Sequence, residues 1–243
     1  MSTTTATTTA TAALTPAPTS VAVAPATRFR RKALGTAAVA GGVLTAAGFA
    51  ATVWETAPDK LSYLDSLVAD PIRSQIAALL LHYGYYGIVP VLLALGIMTR
   101  RTWRVGGNIG LALSMGGALA LPGLLVTDFY DMAIRQNLPA DQAVAVSDAA
   151  GNLPLAGFVG GPLIMLTFLG MTMLGVAAWR AGFFHWALVL PVPVSVASVL
   201  LPIGAATGIA QGALLGLFMI TVGIAVFRMT DQEWVSGARG AGR

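Results

Sequence analysis

Two groups of polar side chains in this sequence have the residue types and spacing for proton chemistry. In the first group His82 precedes Tyr85 and Tyr86 by three and four residues, so on a helix the three rings share a face. An imidazole in that position could carry protons or contact a ligand. The structural alternative is a neutral His82 that is hydrogen-bonded to a tyrosine or to a backbone carbonyl.

Asp128 and Asp131, in the run TDFYD, form the second group. A separation of three residues puts both carboxylates on one helical face, where each hinders the ionisation of the other. That arrangement suits a general acid or a cation site. Arg135 stands four residues after Asp131, and the alternative is a plain ion pair between those two side chains.

The elements that position these groups follow from the composition. Of the 243 residues 56% are hydrophobic and only 10% are charged, whereas soluble domains carry about 25% charged residues. The net charge is +4, but the basic residues lie between apolar runs and form no continuous patch, which argues against a nucleic-acid partner. The composition therefore predicts an integral membrane protein whose direct partners are membrane lipids.

Apolar runs of about 20 residues, long enough to cross a hydrocarbon core of about 30 Å, recur along the chain. Residues 183–227 have no acidic or basic side chain except His185, and at 1.5 Å per residue they would extend about 67 Å, enough for two crossings. The fold class predicted is an all-α, polytopic transmembrane bundle within residues 33–227, with about six spans: 33–53, 74–98, 105–127, 154–179, 183–202 and 207–227.

The basic residues predict the orientation. With the amino terminus inside, 11 of the 14 lysines and arginines fall in cytoplasmic segments, and eight of the ten acidic residues fall outside. We therefore expect a multi-pass protein of the cell (cytoplasmic) membrane with both termini in the cytoplasm.

Two terminal segments lie outside the predicted bundle. Residues 1–32, rich in Thr, Ala and Pro and ending in a basic cluster, are predicted to be a disordered tail. Residues 228–243 are predicted to be a short cytoplasmic tail. A basic stretch before an apolar run also describes a signal peptide, so a cleaved first span is the alternative to a retained helix.

This topology places several polar residues in the outer half of the bundle, and it predicts a polar vestibule that opens outward. Few polar residues lie in the inner half, which argues against a channel through the membrane. The candidate polar site comprises Glu55, His82, Tyr86, Asp128, Asp131, Asn152 and Gln211.

Small residues at helical spacing predict where helices pack closely, since backbone approach at glycine is a main source of association energy in lipid. The alternative is that such a stripe forms the contact of a homo-oligomer. The glycines concerned are Gly106, Gly110, Gly157, Gly161, Gly208, Gly212 and Gly216.

The sequence predicts neither a metal site nor a cofactor. It contains no cysteine and only two histidines, and it has no Gly-rich nucleotide loop, no HExxH and no GxSxG motif.

With its Ala/Gly/Leu/Val-rich spans and its Thr/Ala/Pro tail, the whole chain resembles the small uncharacterised polytopic membrane proteins of high-GC bacteria. That resemblance implies no activity. In length and number of spans the chain is also similar to small integral-membrane terpene cyclases, which protonate an isoprenoid with a carboxylic acid, but no motif of theirs aligns with it.

Three functions are compatible with these features. In the first, the protein binds a lipid or small apolar molecule in the outward-facing vestibule. In the second, it is a membrane scaffold that docks other proteins. In the third, it is a membrane enzyme of the small terpene-cyclase type that uses Asp128 or Asp131 as its acid.

Overall fold

The regular elements of the fold are helices throughout the residues that the structure describes. The computed structural model describes residues 25–201 and 204–239. Two short 3-10 turns, Trp186–Leu188 and Ser198–Leu200, flank α9. The α-helices are, in chain order, α1 (Pro25–Ala51), α2 (Lys60–Ala69), α3 (Pro71–Tyr86), α4 (Ile88–Thr99), α5 (Arg104–Asn137), α6 (Ala140–Gly151), α7 (Pro154–Gly160), α8 (Pro162–Arg180), α9 (Pro191–Ala197), α10 (Ala205–Arg228) and α11 (Asp231–Ser236).

Five stretches of helix are long and apolar enough to cross a membrane, which confirms the all-α transmembrane bundle. Three are the single helices α1, α5 and α10. The other two are pairs of consecutive helices, α3 with α4 and α7 with α8. The second pair is broken at Gly161 because Pro162 follows it and has no N–H to continue the helical hydrogen bonds.

Contacts between neighbouring helices define two ends of the bundle. The Arg31 guanidinium of α1 donates to the carbonyls of Val226 and Phe227 at the end of α10, at 3.1 and 3.2 Å. At the opposite end of the same two helices Trp54 packs against Gly208. Helices α1 and α10 are therefore antiparallel. We call the end with residues 25–32, 99–104, 180–183 and 228–239 the basic end, and the end with residues 51–73 and 128–154 the acidic end.

The predicted fifth span, 183–202, is not one continuous helix. In the described part, up to Leu201, it consists of the two 3-10 turns and the seven-residue α9. Pro191 and Pro193 interrupt the hydrogen-bonding of a longer helix. The segment still runs the length of the bundle, because Val189 lies against Gly175 of α8 and Ser195 bonds the Gln211 carbonyl near the start of α10. This segment therefore lies along the bundle beside the five long helices.

The terminal segments also differ from the prediction. Residues 1–24 and 240–243 lie outside the described residues. Residues 25–32, predicted as part of a disordered tail, form the first turns of α1. The last described residues fold back as α11, which Thr230 and Glu233 begin with a reciprocal capping box.

Ion pairs hold α11 against α1 and explain why the basic cluster is helical. Asp231 accepts hydrogen bonds from Arg28 at 3.0 Å and from Arg31 Nη2 at 3.0 Å. The hydrogen bond from Arg28 is the largest of the effects that hold the pKa of Asp231 below its usual range. The first turns of α1 are thus fixed by the chain's own carboxyl-terminal helix.

The inner core is built around α4, which is buried on most of its surface. Ile88, Val91, Leu92, Leu95 and Met98 of α4 have no exposed area. Helices α1, α5, α8 and α10 surround α4, so the basic half of the bundle is a sealed apolar core.

Most of the predicted packing glycines do lie at close contacts. A Cβ added at Gly216 would come within 2.6 Å of the Gly42 carbonyl oxygen, and one added at Gly110 within 3.3 Å of the Gly170 carbonyl. Gly212 and Gly208 lie under the rings of Phe49 and Trp54, and Gly106 under that of Trp103.

Gly157 and Gly161 lie at no such contact. The nearest atoms to an added Cβ there are backbone oxygens, at 3.9 and 3.4 Å, and all of α7 is exposed. Helix α7 contacts α5 and α8 but buries none of its residues, so its glycines lie at no close helix contact.

Candidate functional site at the acidic end

A tyrosine outside the spans brings Asp128 and Asp131 into one hydrogen-bonded cluster. Helix α5 continues ten residues beyond the predicted end of its span, so both carboxylates project from the same face. The hydroxyl oxygen of Tyr63 in α2 lies 2.9 Å from Asp128 Oδ1 and 3.1 Å from Asp131 Oδ2. We call Tyr63, Asp128 and Asp131 the acid–phenol cluster.

Local sequence explains why α2 presents Tyr63 to α5. The Asp59 carboxylate caps the start of α2 by accepting from the Ser62 N–H at 2.8 Å. Leu64 and Leu67, on the same side as Tyr63, are buried. Their burial and the cap fix both the position and the rotation of the helix.

Two further side-chain contacts tie the surrounding helices together. Ser147 of α6 donates to Asp131 Oδ1 at 2.8 Å. Arg135 pairs with Asp65 of α2 at 2.7 Å, so the predicted alternative in which Arg135 pairs with Asp131 is not what the structure shows. Both contacts bring a helix that lies outside the spans onto the extension of α5.

The phenol of Tyr63 keeps its proton in this setting. Burial and the neighbouring Asp128 and Asp131 carboxylates raise the pKa of Tyr63 above its ordinary value. Lys60 lies over the ring of Tyr63, 5.0 Å from its centre. Tyr63 is therefore a hydrogen-bond donor to the carboxylates and not an anion.

His82 is held separately, deeper in the bundle. Its Nδ1 lies 2.8 Å from the carbonyl oxygen of Pro122 in α5, and a carbonyl oxygen only accepts, so Nδ1 carries the proton. The rings of Tyr83 and Tyr86 meet the imidazole edge-on, with centres 5.4 and 5.1 Å away. These contacts match the structural alternative for His82, a histidine bonded to a backbone carbonyl.

The other predicted site residues are dispersed. Glu55 lies in the connection between α1 and α2, and Asn152 is exposed at the end of α6. Gln211 contributes its backbone carbonyl to Ser195. Of the seven predicted polar residues, the hydrogen bonds and ring contacts above join Asp128 with Asp131 and His82 with Tyr86.

Beside the acid–phenol cluster an exposed groove of about 470 Å³ separates residues 53–59 from α2. We call it the interfacial groove. Its lining includes apolar Val53, Trp54 and Leu61 together with Ser62 and Asp65. The opposite face of α2 carries Tyr63, so one short helix separates the groove from the cluster.

Within the described residues no group of three or more histidine, aspartate or glutamate side chains is arranged to hold a metal ion. The chemistry that the acid–phenol cluster offers is the binding and relay of a proton between carboxyl and phenol oxygens.

Fold and site together define an α-helical, multi-pass membrane protein with a capped acidic end. Comparison of the chain with protein-family models, with curated proteins and with solved structures finds no match. Its function must therefore be argued from its own residues.

Proposed function

We propose that this protein lies in the cytoplasmic membrane with its acidic end outward and binds a small lipid-like amphiphile in the interfacial groove. The proposal rests on the size and position of the groove. Its volume falls within the range of about 300–1,000 Å³ typical of small-molecule sites, and its wall is formed by a helix that lies outside the spans.

The lining of the groove suits a molecule with an apolar body and a polar head. Trp54, Val53 and Leu61 offer an apolar surface, while Asp59 supplies a carboxylate at the rim beside the Asp65–Arg135 ion pair. Tryptophan is enriched at the level of lipid headgroups, and Trp54 follows the end of the first long helix, α1. Because a carboxylate accepts hydrogen bonds and carries negative charge, we propose a ligand whose head donates hydrogen bonds, such as an amine.

The distribution of basic residues supports the orientation with the acidic end outward. Ten of the 13 basic residues in the described part of the chain lie at the basic end, and positive charge collects on the cytoplasmic side of membrane proteins. The enzyme of terpene-cyclase type is not favoured, because the groove lining includes neither Asp128 nor Asp131.

Filling the groove tests the proposal. Ala69 lines the groove and is exposed, so Ala69→Phe should occupy ligand space without burying a polar group. The control is Ala150→Phe at an exposed position of α6. The measurement is quenching of tryptophan fluorescence by a bromoalkyl amine. The contribution of Trp54 is the difference in quenching between the protein and its Trp54→Phe variant.

We expect Ala69→Phe to raise the probe concentration needed for the same quenching at least about tenfold, equivalent to about 1.4 kcal/mol of binding free energy. Ala150→Phe should leave that concentration unchanged. A matched bromoalkanoic acid should quench less than the amine, since its carboxylate meets the acidic rim. Equal quenching in the two phenylalanine variants would contradict a site in the groove.

A further inference from the structure

The acid–phenol cluster has more acceptors than protons. A phenol has one proton to donate, yet the Tyr63 oxygen lies within hydrogen-bond distance of Asp128 Oδ1 and Asp131 Oδ2. If both carboxylates are ionised, Tyr63 can satisfy only one of them fully, and the other anion faces the phenol's lone pairs. Such an arrangement is costly because Tyr63, Asp128 and Asp131 are all half-buried.

One additional proton removes the conflict, and the contacts favour one of the two carboxyls for it. Asp131 receives a hydrogen bond from Ser147 on Oδ1 and also lies within reach of Tyr63 on Oδ2. Ser147 stabilises the anion of Asp131, so the proton is better placed on Asp128. A proton on Asp128 Oδ1 would donate to the Tyr63 oxygen, and Tyr63 would donate to Asp131. The two hydrogen bonds then run in one direction, from Asp128 to Tyr63 and from Tyr63 to Asp131, and each has its own proton.

We infer that Asp128, Tyr63 and Asp131 form a proton-operated latch, in which Asp128 holds a proton while α2 is docked on α5 and releases α2 when it loses that proton to water. In the released state both carboxylates are hydrated as anions, so the shortage of donors disappears. Docking of α2 is thus linked to the uptake of one proton.

The other charged and titratable groups around the latch do not remove the shortage. Lys60 of α2 lies over the ring of Tyr63, not at its hydroxyl, and Asp65 and Arg135 neutralise each other. Tyr85 of α3 interacts electrostatically with Asp128. On α6, Asp141 and Asp148 are exposed to solvent.

Linkage fixes the expected pH dependence. Because the docked state holds one proton more than the released state, docking should weaken by up to tenfold for each pH unit above about pH 4, where the released Asp128 ionises like an ordinary carboxylic acid. The decrease should end at the pH where the docked Asp128 would itself lose its proton. The latch needs no ligand, so its test is independent of the proposed binding function. Since α2 also forms one wall of the interfacial groove, its release would open that groove.

Hydrogen–deuterium exchange of the full-length protein in detergent tests the latch. The quantity measured is the protection factor of peptides from α2, from about pH 4, where ordinary carboxylic acids titrate, to about pH 9. Expressing exchange as a protection factor divides out the pH dependence of the chemical step. In the wild type we expect protection to be constant at low pH and then to fall up to tenfold per pH unit.

Three variants distinguish loss of the Asp128 proton from other causes of weaker docking of α2. Asp128→Asn puts a permanent donor beside Tyr63, so protection of α2 should stay high and no longer depend on pH. Tyr63→Phe removes the relay and should lower protection at all pH values. The matched control Asp65→Asn breaks the other tie between α2 and α5, so it should lower protection while preserving the pH dependence.

Two results would overturn the latch. One is protection of α2 in the wild type that does not change with pH. The other is Asp128→Asn loosening α2 as much as Tyr63→Phe does, because that would mean that two ionised carboxylates share the phenol.

Discussion

At the scale of single residues, the hydrogen bond of His82 determines what the side chain can do. Its Nδ1–H is engaged with the Pro122 carbonyl, so Nδ1 is not available as an acceptor. The rings of Tyr83 and Tyr86 pack on the imidazole, and the side chain is half-buried. His82 therefore ties α3 to α5 through one nitrogen.

Substitutions that mimic one ring nitrogen at a time test this assignment. The side-chain amide of asparagine occupies the place of Nδ1, and that of glutamine reaches the place of Nε2. We expect His82→Ala to cost about 1–2 kcal/mol through the lost hydrogen bond, His82→Asn to recover most of that, and His82→Gln to recover little. Thermal unfolding in detergent measures the three variants, and equal recovery by the two amides would refute the Nδ1 contact.

The residues of the candidate site were only partly predictable. The spacing of Asp128 and Asp131 within one helix is local information, and it correctly indicates a shared face. Tyr63 was not identifiable, because its partners lie 65 and 68 positions away in sequence and no local pattern links them. The dispersal of Glu55, Asn152 and Gln211 was hidden for the same reason: lying in the same half of a membrane does not bring residues together.

At the scale of helices, glycines allow α1 and α10 to come into close contact. A Cβ added at Gly42 would lie 2.6 Å from the Gly216 carbonyl oxygen, and one added at Gly216 would lie 2.6 Å from the Gly42 carbonyl. The two backbones thus approach each other reciprocally. The close approach allows dispersion contacts along both helices, which is a main source of stability in lipid.

A methyl group at this contact should separate the helices. We expect Gly42→Ala to cost about 1–3 kcal/mol, typical of overpacking. Gly123 of α5 is the matched control, because nothing lies within 4 Å of an added Cβ there, and Gly123→Ala should be neutral or slightly stabilising through helix propensity. Unfolding of both variants in detergent gives the comparison, and similar stabilities would show that α1 and α10 do not meet at Gly42.

Hydropathy located the long helices well, because burial in lipid demands an apolar run of fixed length. It could not locate the breaks within them, since glycine and proline are tolerated in membrane helices whenever neighbours compensate. Pro122 continues α5 without a break, whereas Pro191 and Pro193 lie in a segment that forms only short helical pieces. The extension of α5 past Thr127 was missed because Asp128 ends the apolar run without ending the helix.

At the scale of the whole molecule, the direction of α10 depends on the segment before it. Helix α8 ends at the basic end, as Phe183 lies beside Ala225 and Met229. Helix α10 begins at the acidic end, where Gly208 lies under Trp54. The chain between Phe183 and Gly204 must therefore pass from the basic end to the acidic end, although its described part forms only short helical pieces. Without that passage, α10 would run in the opposite direction and could not place Asp231 beside Arg28 and Arg31.

The absence of cysteine from the sequence permits a direct test of this topology. Single cysteines at Thr102, Asp141 and Ala205 report on the turn after α4, on α6 and on the start of α10. A membrane-impermeant maleimide applied to intact cells should label the Asp141→Cys and Ala205→Cys variants, whereas Thr102→Cys should react only after the membrane is permeabilised. Asp141 and Ala205 lie at the acidic end and Thr102 lies at the basic end, so the outward orientation of the acidic end requires this pattern. Labelling of Ala205→Cys only after permeabilisation would mean that residues 183–204 return to the cytoplasmic side, and the antiparallel contact of α1 with α10 would then be impossible.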